Sequence, residues 1–185
     1  MGHEQKQYSL YARLLHWLMA AGFFFMWGSG YYMTRFVEDD SPMEEWLFSL
    51  HISTGVTLVV LLIIRIIIRV MTPPPPSVLI TSAIEAVGAK LAHWGLYLLP
   101  ALVLLAGWAE VDLGGHGVKW LGIAMPKVFP TLEHFHGINP ADTAETLHKW
   151  LAYTTLGLTV LHIAAVVKHA REGHSILYRM SFNKR

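Results

Sequence analysis

His148 and His162 are fourteen residues apart in a stretch, 147–168, whose intervening residues are largely apolar. At about 100° per residue and 1.5 Å rise, such a pair sits within roughly 40° on one helix face, about 21 Å apart along the axis. Imidazole is a ligand for transition metals and haem iron. Two imidazoles on one face, at opposite ends of an apolar helix, can each hold one haem iron and so stack two haems across a bilayer. They can equally be two unrelated interfacial histidines. Partners at matching depths on other helices distinguish the readings.

The rest of the chain decides where such partners could lie. Of 185 residues, 54% are apolar and only 15% charged. A soluble domain carries nearer a quarter charged residues, so the composition indicates a membrane bundle. There is no cysteine among the 185 residues, which excludes disulfides, iron–sulfur clusters, thiolate metal sites and covalently attached haem. Eleven histidines are available instead.

Four apolar segments are long enough for a hydrocarbon core of about 30 Å. The expected spans are 14–34, 46–66, 91–109 and 146–168. The first is rich in aromatics (Trp17, Phe23, Phe24, Phe25, Trp27, Tyr31, Tyr32) and reads as a retained helix rather than a cleaved leader. Thr72–Pro76 contains four prolines and stops the second helix. Asn139-Pro140 reads as cap and first residue of the fourth helix, and Gly173 as its stop. The segment 110–139 is glycine-rich and long. Trp120, Leu121, Ile123 and Phe129 suggest that it packs as a cap against the membrane surface. The fold class expected is therefore all-α, a four-transmembrane-helix bundle with a long extracytoplasmic loop between helices three and four, and no internal repeat.

Four spans place both termini on one side. Segments 1–13, 65–90 and 168–185 hold ten Lys or Arg against three Asp or Glu, whereas 35–45 and 110–149 hold four against ten. The positive-inside bias makes the termini cytoplasmic.

With that orientation, His16 and His162 lie at cytoplasmic depth, and His51 and His148 at outer depth. Each pair can supply both axial ligands of a six-coordinate haem. Separately, each histidine could be a polar packing group, but an imidazole facing lipid needs a partner. A zinc or di-iron site would want ligands converging at one depth, often with carboxylates, and no Asp or Glu lies inside the expected spans. Arg65, fourteen residues past His51, reaches the cytoplasmic layer; with Arg13 or Arg69 it could pair with haem propionates, or simply anchor the helix end.

These features resemble the bacterial cytochrome b561 family, four-helix di-haem cytochromes related to the cytochrome b subunits of nickel–iron hydrogenases. The resemblance rests on Arg13-Leu14-Leu15-His16-Trp17-Leu18, on His51-Ile52-Ser53-Thr54-Gly55 followed by Arg65 to Arg69, and on Leu147-His148-Lys149 followed by Leu161-His162, with His93 and Tyr97 in helix three. It implies two non-covalent b haems, on His16 with His162 and on His51 with His148. It also implies a bacterial inner-membrane location and electron exchange with membrane quinone. One branch of the family oxidises superoxide outside and reduces ubiquinone. The outer loops here sum to −6, an unfavourable field for an anion, although Lys119 and Lys127 could form a local positive patch. His169 is the first candidate donor to a quinone carbonyl and His93 the second; His116, His134 and His136 fall in the outer loop. Partners implied are the bilayer, quinone, and superoxide or a redox protein, with no nucleic acid. An electron-relay anchor for a dehydrogenase or hydrogenase, and a haem-free transporter or structural bundle, remain alternatives.

Overall fold

Each helix begins where the sequence supplies an oxygen for its free N–H groups. A computed structural model describes residues 7–72, 75, 82–132, 134, 137–172 and 176–183. Helix α1 (Leu10–Phe36) is capped by Ser9, α2 (Pro42–Met71) by Ser41, α3 (Ala83–Leu113) by Ser82 and α4 (Pro140–Arg171) by Asn139, in each case through a side-chain oxygen accepting a backbone N–H. The helices outrun the expected spans because these caps lie in polar flanks, one or two turns beyond the apolar windows. Gly173, expected as the α4 stop, lies outside the described residues, as do Pro73, Pro74 and Pro76; Thr72 caps the end of α2.

All four helices are long and apolar enough to cross a bilayer, and most of their apolar side chains face outward. This is the pattern of a multi-pass membrane protein, in which lipid replaces a solvent-hidden core. The helices pack as two antiparallel hairpins, α1 on α2 and α3 on α4, which meet mainly through α2 and α3. Between the hairpins Met19, Met26, Leu58, Leu62 and Leu104 form a buried cluster, with Phe23, Tyr97 and Ala101 against it.

Between α3 and α4 a two-residue turn joins strands β1 (Lys119–Trp120) and β2 (Ile123–Ala124) into a small hairpin. Its turn residues, Leu121 (φ 51°) and Gly122 (φ 85°), are both left-handed, the geometry that matches strand twist. Leucine rarely adopts that conformation. Here its N–H donates to Ser53 Oγ at 3.1 Å, while Trp120 Nε1 donates to Thr57 Oγ1 at 3.0 Å, so α2 clamps the hairpin. At the base of the loop the fully buried Asp112 accepts at Oδ2 from Trp108 Nε1 and from the backbone N–H groups of Val128 and Phe129.

At the other end a short 3-10 helix, Leu177–Met180, closes against the start of α1. Tyr8 N donates to Arg179 O, Trp17 Nε1 to Met180 O (2.9 Å), and Arg13 Nη1 to Ser181 O (2.7 Å) and Gln7 Oε1 (2.9 Å).

Candidate metal centres

Every helix contributes to each of two histidine layers. In the layer near the β-hairpin, His51 of α2 faces His148 of α4 with ring centroids 6.2 Å apart and planes at 79°. A metal–imidazole bond is about 2.0 Å. Two rings sharing one metal through Nε2 therefore have centroids roughly 6 Å apart, once about 1 Å of ring is added on each side. The observed spacing fits.

The hydrogen bonds fix which nitrogen is available. His148 Nδ1 lies 2.9 Å from Val103 O; a carbonyl only accepts, so Nδ1 carries the hydrogen. His51 Nδ1 lies 3.1 Å from Ser29 Oγ, and the Ser29 hydroxyl donates to Met26 O at 3.2 Å. With its hydrogen committed, the hydroxyl accepts from His51 Nδ1. Both rings thus present the Nε2 lone pair, the arrangement that metal-ligating histidines take when an acceptor holds the other ring nitrogen. Backbone without side chains lets the rings sit there. A Cβ on Gly107 would lie 2.9 Å from His148 Cε1 and Nδ1, and one on Gly30 would lie 3.3 Å from His51 Cε1.

The layer at the chain-terminal end is built differently. His16 of α1 meets Arg65 of α2, with Arg65 Nη2 3.2 Å from His16 Nδ1. A guanidinium has no acceptor, so His16 Nδ1 offers its lone pair to Arg65 and the neutral ring carries its hydrogen on Nε2. Arg65 also stacks over Tyr97 of α3, 5.6 Å from the ring centroid, and Nη1 reaches Ala12 O at 3.4 Å. His162 of α4 has its nearest described ring partner in His93 of α3, at 6.0 Å and 65°. His16, His93, His162, Arg65 and Arg69 are close enough to interact electrostatically.

The expected site residues thus have these places. His51 and His148 face each other. His16 and His162 share a layer, but His16 is held by Arg65 and His162 lies against His93. Arg13 is engaged in the terminal clasp. His169 Nδ1 sits 3.4 Å from Glu172 Oε2, beyond the His162 layer. His116 and His134 are exposed, and His136 lies outside the described residues. Lys127 Nζ donates to Thr131 Oγ1, while Lys119 is exposed on β1. Among the described residues no three metal-binding side chains converge. Sequence reasoning missed Ser29, Gly30, Val103 and Gly107. The run Gly28-Ser29-Gly30 in an apolar helix was the available signal for two of them; a backbone carbonyl leaves none.

Residues 7–183 match the family model for prokaryotic cytochrome b561. The chain is 29% identical over 167 residues to cytochrome b561 homolog 2 of Escherichia coli (strain K12), covering 89% of this chain and 85% of that one. It is 28% identical over 181 residues to the Yersinia pestis protein named "Probable superoxide oxidase CybB", covering 97% and 98%. With four membrane-length helices and a family match over nearly its whole length, the chain belongs to the prokaryotic cytochrome b561 family, membrane cytochromes whose cofactor is b-type haem.

Proposed function

We propose that this protein is a di-haem b cytochrome of the bacterial inner membrane, termini in the cytoplasm, that moves electrons between its outer face and membrane ubiquinone. The observation that carries the reading is the His51–His148 pair: ring centroids 6.2 Å apart, with both Nδ1 atoms hydrogen-bonded so that both Nε2 atoms are free. His51 and His148 would hold the outer haem, and His16 and His162 the inner one, with His93 alongside. Held by two imidazoles, the haem would supply one-electron exchange.

The chain's own residues supply the rest. Arg65, which here contacts His16, would hold a haem propionate, a bidentate role that suits a guanidinium. The buried belt of Met19, Met26, Leu58, Leu62 and Leu104, with Phe23 packed against it, keeps water out between the layers. His169 is the donor to a quinone carbonyl, and its contact with Glu172 orients the ring.

The name of the Yersinia pestis relative supports superoxide as the outer donor. Lys119, exposed on β1, is the cation placed to attract it against the acidic loops. The test is a stopped-flow reaction of the purified, oxidised protein with superoxide, followed by addition of a short-chain ubiquinone. Haem reduction by superoxide and reoxidation by quinone establish the activity. Reduction by quinol alone, with a larger partner co-purifying, makes the chain a relay anchor. A flat reduced-minus-oxidised spectrum removes haem chemistry altogether.

A further inference from the structure

Two hydrogen bonds orient the outer imidazoles, and they differ in kind. His148 donates to a backbone carbonyl, Val103 O, which no side-chain substitution removes. His51 donates to a side chain, Ser29 Oγ, whose only hydrogen is tied to Met26 O one turn earlier in α1. With that hydrogen on Met26 O, the hydroxyl meets His51 as an acceptor. Gly30 completes the fit, since any Cβ there would press on the Cε1–Nδ1 edge of the same ring.

We propose that Ser29 is a positioning residue for His51: it holds the ring in the tautomer and orientation that make Nε2 the ligand atom, and it raises the electron density of that ring. The inference rests on haem ligation by His51. An acceptor on Nδ1–H makes an imidazole a stronger donor to its metal and so favours the oxidised ion. Ser29 thereby lowers the potential of the outer haem relative to a ring without such a partner. It does so from α1, the helix that supplies a ligand only to the other layer, so the two layers are tuned through different groups.

The test compares full-length wild type with Ser29→Ala and Ser29→Thr, each purified with haem, by optical redox titration and low-temperature electron paramagnetic resonance. Threonine keeps a hydroxyl that can bond the carbonyl three or four residues back. In S29A the haem that is lost in His148→Leu shifts to higher potential, its reduced-to-oxidised ratio rising several-fold at a fixed ambient potential, and its resonance moves. The other haem is unchanged, and S29T returns the wild-type values. Loss of that one haem in S29A with retention in S29T also supports the role. If S29A titrates both haems as wild type does, or if S29A and S29T lose the same haem, the hydroxyl has no such role while ligation by His51 stands. A wild type that binds no haem overturns ligation and the inference together.

Discussion

The two histidine layers draw on the same four helices, yet their imidazoles are held by opposite kinds of neighbour. Near the β-hairpin, neutral acceptors (Ser29 Oγ and Val103 O) take the Nδ1 hydrogens and leave Nε2 free on both rings. At the terminal end a cation, Arg65, takes the His16 Nδ1 lone pair and leaves the hydrogen on Nε2. What differs is whether the group bonded to Nδ1 accepts or donates. An acceptor prepares an imidazole as a ligand, whereas a permanent donor occupies it until an anion draws the donor away. On this reading the outer site is preorganised and the inner site is assembled together with the haem carboxylates.

The largest effect that would break the comparison comes from the outer ligands. His148→Leu should halve haem content, from two per chain to one, measured as pyridine haemochrome against protein; His51→Leu should remove the same haem. Loss of both would mean that the layers are not independent. Next, His16→Leu should remove the second haem, while His93→Leu should leave two. The reverse result would assign the inner ligand to the ring that lies 6.0 Å from His162. Gly107→Ala forces His148 to move, because the new Cβ would sit 2.9 Å from its ring. Overpacking of this kind costs about 1–3 kcal/mol, seen as weaker retention of the outer haem on dilution. Arg65→Gln removes the guanidinium that holds His16. Apo-protein should then take up the inner haem faster yet retain it less tightly, with the outer haem unaffected; time-resolved Soret absorbance reads both. The smallest effect is Trp120→Phe, which deletes the bond to Thr57 and should cost ~1 kcal/mol, a few degrees in thermal unfolding with both haems in place.

The sequence made the helices legible because apolar length is a strong signal in a bilayer, and the caps at Ser9, Ser41, Ser82 and Asn139 only lengthened them. The separation of histidines along each helix was legible for the same reason, since helix rise converts residue number into distance along the axis. What was not legible was lateral: which ring faces which depends on helix rotation, and spacing along one helix does not fix that. His93 therefore looked like a secondary residue, although it lies beside His162. The β-hairpin was also hidden. Its turn contains Leu121 in a left-handed conformation that leucine propensity argues against, and it is stabilised by Ser53 and Thr57 from a distant part of the chain.

The division into two helix pairs that touch chiefly along α2 and α3 bears on assembly. Each pair can insert and form its own antiparallel contacts before the halves dock. A porphyrin gripped from both halves would act as a rivet, its binding free energy adding to the cohesion of the fold. Cofactor supply would then set how much of the newly made protein survives in the membrane, as well as how much of it is active.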